Sequence, residues 1–159
     1  MSITATEVPP LRKHICVRAS TARAFKVFTE GIDTWWPKTH HIGPSAPVRG
    51  AIEPGVGGRC YTEHTDGSLA QWGQVLEWEP PHRFVLAWMV TTDWKPEPDL
   101  GKASEVEVRF TQSPDGTTLV ELEHRCFERH GEAGALMRQH VEGWTSLLEL
   151  FRTELDREG

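Results

Sequence analysis

The stretch Gly134-Ala135-Leu136-Met137-Arg138-Gln139-His140-Val141-Glu142-Gly143-Trp144-Thr145-Ser146-Leu147-Leu148-Glu149-Leu150-Phe151 decides how the rest of the chain is read. Met137, Val141, Trp144, Leu148, Phe151 and, just beyond, Leu155 recur at three- and four-residue steps, which aligns them on one face of an α-helix; Leu136 and Leu147 widen that stripe. The spacing predicts one long C-terminal helix whose apolar face another layer must cover. Strand-like segments precede it, so that layer is a sheet. A small apolar ligand held between helix and sheet is the leading functional expectation.

Immediately upstream, Val120, Leu122, His124 and Cys126 alternate with Glu121, Glu123 and Arg125, and Val106, Val108 and Phe110 alternate with Glu105, Glu107 and Arg109. A period of two puts one face of each strand in the core and the other in water. Ser113-Pro114-Asp115-Gly116 supplies the tight turn between them. Phe84 to Val90 is apolar on both faces, so its pattern does not say which side meets the core. Leu69 to Trp78 reads as a strand ended by Glu79-Pro80-Pro81, because proline has no N–H for a ladder. Arg59 to Glu63 precedes the Asp66-Gly67 hairpin turn, and Val48 to Glu53 is a further strand in a region punctuated by proline and glycine.

At the other end, Leu11, Ile15 and Val17 share a face of a first strand that Lys13 interrupts. Ser20 or Thr21 caps a helix carrying Ala24, Val27 and Phe28, which Gly31 ends, and a second short helix carries Ile32, Trp35 and Trp36 and stops at Pro37. The order is strand, two short helices, antiparallel strands, long helix: an α+β arrangement. No internal repeat or low-complexity tract is present. At 159 residues the chain fits a single domain over residues 11–159, with residues 1–10 as a flexible lead-in.

Lys and Arg number 17 against 23 Asp and Glu, for a net charge of −6 and no basic cluster, which argues against nucleic acid as a partner. No apolar stretch is long enough to span a bilayer, and the first ten residues lack the positive start and apolar core of a secretion signal. Cys16, Cys60 and Cys126 are widely spaced with no CxxC pair, as in a reduced cytoplasmic protein with small buried thiols.

Four motifs carry a family resemblance: Ala24-Phe25-Lys26-Val27-Phe28-Thr29 followed by Trp35-Trp36-Pro37; Glu53-Pro54-Gly55-Val56-Gly57-Gly58-Arg59; Trp72-Gly73-Gln74-Val75-Leu76-Glu77-Trp78-Glu79-Pro80-Pro81; and Gly143-Trp144. In this order, over roughly residues 11 to 155, the chain resembles the helix-grip superfamily, also called START-like or SRPBCC. Within it the chain is most similar to the branch named after the activator of heat-shock-protein ATPase. The resemblance implies a curved antiparallel sheet wrapped around the C-terminal helix and enclosing a cavity. Members bind lipids, hormones and polyketides, and some catalyse cyclisation or dehydration, so it fixes a fold before a function. The branch name adds a chaperone-linked interaction domain as a further expectation, and the chain corresponds to the C-terminal half of the eukaryotic activator. Self-association, as a homodimer, is compatible with all of these.

On that fold Trp35, Trp36, Trp72, Trp88, Trp94 and Trp144 fall around the cavity or its mouth, either lining a pocket or packing as ordinary core. Phe28, Val108 and Leu122 would complete the walls. His124, on the apolar face of the last strand, either finds an internal partner or acts as a proton donor or acceptor near neutral pH, the residue on which a cyclase- or dehydratase-like activity would turn. His140, one turn before Trp144, is its candidate partner or covers the edge of the stripe, and His41 is a mouth residue. His40-His41 with Glu63 and His64 lacks the one-turn spacing of a metal grip, so no metal and no cofactor are expected. Gly55-Val56-Gly57-Gly58-Arg59 precedes a strand and lacks the Walker ending, and Ser45, Ser68 and Ser104 have no nucleophile-elbow context. Thr91 to Lys102 is a long polar loop, either a lid tipped by Trp94 or a plain exposed connection.

Overall fold

A computed structural model describes residues 8–36 and 47–158. β1 (Leu11–Val17) is followed by α1 (Thr21–Thr29) and α2 (Ile32–Trp35), then by β2 (Pro47–Ile52), β3 (Arg59–His64), β4 (Leu69–Glu79), β5 (Arg83–Trp88), β6 (Ser104–Gln112) and β7 (Thr118–Arg125). The seven strands form one sheet in the order β1-β7-β6-β5-β4-β3-β2, antiparallel throughout. Register shifts at Pro47/Arg49, Cys60/Tyr61 and Val75/Glu77 put an extra residue into the ladder at three places, and such bulges bend a strand and raise its twist. The result is the curled sheet of a helix-grip α+β fold.

Inside the curl the alternation holds. Val106, Val108 and Phe110 lie opposite His124, Leu122 and Val120 and are buried, and α4 (Trp144–Glu158) lays Leu148, Phe151 and Leu155 against them. Each such side chain contributes about 1.5–3 kcal/mol when removed from water. α1 starts where Ser20 accepts the Arg23 N–H at 3.2 Å, and it adds Phe25 and Phe28 to the core. On β5 both faces are covered: Phe84, Leu86 and Trp88 join the main core, while Ala87 and Met89 pack with Ala103 in a smaller cluster on the other side. That explains a strand without alternation.

The predicted single C-terminal helix is two, α3 (Gly134–His140) and α4, separated by a turn over 141–143. There the N–H groups of Glu142 and Trp144 reach back three residues, to Gln139 and Val141, rather than four. Gly143, which disfavours helix interiors by about 1 kcal/mol relative to alanine, sits in this tightened turn. Met137, Val141, Trp144, Leu148, Phe151 and Leu155 nevertheless all remain buried, so the stripe runs across the break.

The thiols also depart from expectation. Cys60 is buried, and burial pushes its pKa up, but Cys16 is exposed and Cys126 half-buried. Cys16 occupies an outward position of β1, and Cys126 leaves β7 in a left-handed conformation, φ 65°. Gly58 explains the glycine-rich turn: a Cβ there would meet the Glu53 carbonyl oxygen at 2.1 Å, so the chain can close only with glycine, and Arg59 then pairs with Glu53 at 3.0 Å. At the far edge of the sheet, the Gly50 N–H of β2 donates to Asp33 Oδ1 of α2 at 2.8 Å. No helix of the described residues is long and apolar enough to cross a membrane.

The outer face of β5, β6 and β7 is charged, yet Glu107 at its centre is only 3% exposed. Arg83 and Arg109 donate to its carboxylate at 2.8 and 2.7 Å, and Arg125 donates to its other oxygen. Burial alone would raise its pKa, but the hydrogen bonds from Arg109, Arg125 and Arg83 outweigh that and hold it at about 2. A position expected to face water is thus covered by three guanidinium stems. Because the folded pKa is depressed, Glu107 contributes stability in full above the ordinary carboxylate range and loses it as pH falls toward 2. Glu107→Gln is expected to cost roughly 3 kcal/mol at neutral pH in urea unfolding. The gap between variant and wild type should close as the titration is repeated in increasingly acidic buffer.

Candidate functional site

Tryptophans from four elements meet at one end of the core. Trp36, at the end of α2, stacks on Trp72 of β4 with centroids 5.8 Å apart and planes 10° from parallel, and both are half-buried. Trp72 touches Trp88 of β5 edge-on at 6.0 Å, and Trp144 at the start of α4 closes the group at 5.8 Å from Trp36 and 5.9 Å from Trp88. Trp88 is 6% exposed, and among the described residues its indole Nε1 has no hydrogen-bond partner. Leaving a buried donor unpaired costs about 1–3 kcal/mol, which marks the position for explanation.

Trp35 is placed differently. Its Nε1–H donates to the Val27 carbonyl at 3.0 Å, and its ring packs on Phe28 at 4.9 Å and Phe151 at 5.5 Å, deep in the core with Val108 and Leu122. Phe28 in turn packs on Phe84 and Phe110. The candidate site thus combines packed core residues, Phe28, Trp35, Val108 and Leu122, with a cluster of aromatic rings, the rim of Trp36, Trp72, Trp88 and Trp144.

Beside the rim runs a polar chain headed by His124, whose other members sequence patterning did not name. His124 is fully buried, stacked on Phe127 at 4.6 Å. Trp144 Nε1–H donates to its Nδ1 at 3.2 Å, and its Nε2 lies 2.8 Å from Ser104 Oγ. The same oxygen is 2.8 Å from Nε2 of His130, in the 3-10 turn Phe127–Ala133 that follows β7. Burial, and secondarily the charge of His130, hold His124 well below the ordinary imidazole range. Burial also lowers His130, which Glu97 partly offsets. Of the two expectations for His140, partner of His124 or cover for the edge of the stripe, the first is not what the hydrogen bonds show: its ring stacks on Trp94 at 5.6 Å, and its buried Nδ1 has no partner among the described residues. Ser104 lies two positions before Val106, directly opposite Trp88, so continuing the alternation by one step would have put it on the inward face, though not named it as the partner of His124. His130 carried no periodic signal, because a turn brings it back.

Trp94 stands at the tip of a hairpin running from Met89 to Glu97. The Trp94 N–H donates to the Thr91 carbonyl and the Thr91 N–H to that of Lys95, both at 2.9 Å. Trp94 is 45% exposed and left-handed at φ 61°, a conformation that costs a residue with a Cβ roughly 1–2 kcal/mol. His41 lies outside the described residues, as does His40. No group of three or more His, Cys, Asp or Glu side chains among the described residues could hold a metal.

The chain matches the family profile of Activator of Hsp90 ATPase homolog 1-like proteins over residues 18–156. Among solved structures it is 37% identical to Txn09, an anthrahydroquino-gamma-pyrone synthase, over 94% of this chain and 98% of that one, with a TM-score of 0.66. It is 27% identical to CalC, a self-sacrificing resistance protein from Micromonospora echinospora, over 95% and 96% of the two chains, TM-score 0.68. The Aha1 dimer from Colwellia psychrerythraea shares the fold, with 16% identity over 93% and 96% and a TM-score of 0.60. No curated protein matches the chain.

The strain at Trp94 can be read directly. Trp94→Gly and Trp94→Ala both lose the stack on His140, but only glycine tolerates the left-handed backbone. The glycine variant is expected to be more stable than the alanine variant by about 1 kcal/mol in denaturant unfolding.

Proposed function

The chain belongs to the family of Activator of Hsp90 ATPase homolog 1-like proteins, and on that footing we propose that it binds a flat, largely apolar aromatic molecule of the polyketide class at the tryptophan rim. The carrying observation is the buried, unpaired indole N–H of Trp88, set among the rings of Trp72, Trp144 and His124. A ring carbonyl or phenolic oxygen would satisfy that donor, while Trp36 and Trp72 offer flat faces for stacking. The likeness to a synthase whose name describes a fused aromatic product supports this ligand class. Phe28, Trp35, Val108 and Leu122 serve as floor, and Trp94 with His140 as an outer wall. The domain is a single unit over residues 11–159, working in the cytoplasm without a cofactor.

A second reading is favoured by one observation of its own: the path from His124 through Ser104 to His130. A buried imidazole linked to a second one is what a cyclase- or dehydratase-like enzyme needs to move a proton. On this reading His124 is the catalytic group, and the same aromatic ligand is its substrate.

Titration with anthraquinone-2-sulfonate, followed by quenching of tryptophan fluorescence, tests the binding. Wild type is expected to bind it more tightly than anthracene-2-sulfonate, which lacks the ring carbonyls. Trp88→Phe should weaken the quinone by roughly fivefold to tenfold, the value of one net hydrogen bond, and the hydrocarbon far less. Equal weakening of both probes would remove Trp88 Nε1 from the argument, and no binding of either would end the reading.

A further inference from the structure

We propose that His124, Ser104 and His130 form a directional proton conduit, in which His124 takes a proton from a bound molecule at Nδ1 while the positive charge comes to rest on His130. This rests on the enzymatic reading above and gives its proton path a direction and an end point.

The direction follows from what each group can donate. An indole N–H can only donate, so the Trp144 contact at 3.2 Å fixes His124 Nδ1 as an acceptor. A cationic His124 would present a second N–H to that donor, so His124 is neutral with its single hydrogen on Nε2. That hydrogen points to Ser104 Oγ at 2.8 Å. The serine hydroxyl has one hydrogen, and the remaining lone pair at 2.8 Å is Nε2 of His130. In the conduit that Nε2 accepts the serine hydrogen and neutral His130 carries its own hydrogen on Nδ1; a serine accepting from both imidazoles is the arrangement the conduit excludes. Each hydrogen in the chain points the same way, from the tryptophan rim toward the surface.

The conduit removes a difficulty that a lone buried histidine would face. A fully buried imidazolium is costly because nothing replaces the water it gives up. With the chain, an O–H or acidic C–H bond of the ligand breaks and its electron pair stays on the ligand. A new N–H forms at His124 Nδ1 as the Trp144 indole gives way. The Nε2 hydrogen passes to Ser104, and the serine hydrogen passes to His130. One proton has left the ligand, His124 is again neutral, Ser104 is unchanged, and the cation sits on half-buried His130. The displaced indole N–H remains available to the oxygen left on the ligand. Stacking on Phe127 holds the His124 plane, so the hydrogen changes nitrogen without the ring turning over.

The groups facing His130 suit this role. Ser104 comes from β6 and His124 from β7, and Glu97 from the hairpin favours its charged form. On its own turn Arg129 is occupied by Glu105 at 3.0 Å, and Glu128 is exposed.

Long-range proton–nitrogen NMR on uniformly labelled protein, with no ligand, reads each imidazole nitrogen. In wild type His124 is expected to carry hydrogen on Nε2 and His130 on Nδ1, with His130 alone gaining a proton as pH falls. Hydrogen on His124 Nδ1, or His124 titrating ahead of His130, would overturn the conduit. In Trp144→Phe, which frees Nδ1, protonating His130 should drive the His124 hydrogen from Nε2 to Nδ1. Adding Ser104→Ala should abolish that switch, and a switch that survives it would sink the proposal. If Trp144→Phe does not fold, the wild-type assignments decide alone. Because these readouts need no turnover, they stand or fall separately from the enzymatic reading, which inactivity toward every aromatic substrate tried would refute.

Discussion

Phe151 of α4 presses on Phe28 and Trp35, with Leu148 and Leu155 on the adjoining turns, and this seat of helix in sheet is the contact on which the rest of the structure depends. A seven-stranded sheet that curls presents one apolar concave face, and without a helix across it that face would be wet. The helix does more than cover it. Its first residue, Trp144, points an indole N–H at His124, so the packing that closes the fold also sets which nitrogen of a buried imidazole bears hydrogen. Stability and candidate chemistry are joined through one side chain.

Much of this was legible in the linear chain. Two-residue alternation in Val106 to Phe110 and Val120 to His124 marked the paired strands, and the three- and four-residue steps from Met137 to Leu155 marked the covering stripe. The same periodicity concealed the break at 141–143, because a turn that keeps the stripe in phase leaves no trace in hydrophobicity. Glu107 was read as a solvated residue, since alternation reports which face a side chain takes and not whether three arginines from two neighbouring strands and its own fold over it. His124 was visible as a polar residue on an apolar face. Its partners were not: Ser104 is 20 residues away across a strand pair, and His130 comes back to it from the turn that follows the left-handed Cys126. Pairing of this kind is three-dimensional information.

Family membership and the local geometry answer different questions. The fold accounts for the sheet, the helix and the placing of aromatic residues at one end. The individual hydrogen bonds distinguish a satisfied core from a site, and here they divide the tryptophans. Trp35 spends its N–H on α1 and Trp144 on His124, whereas the Trp88 donor stays open among rings. The likeness to a synthase at 37% identity and to a resistance protein at 27% shows one scaffold carrying proteins described in different terms, so the fold by itself does not choose between them.

The edge strand β2 bears on how the sheet meets other chains. A terminal strand exposes a row of amides that can recruit another chain. Here Pro47 has no N–H to offer, the register slips between Pro47 and Arg49, and the Gly50 amide is already taken by Asp33 of α2. An incoming strand would find one of these rungs missing and another occupied, which works against edge-to-edge pairing at β2.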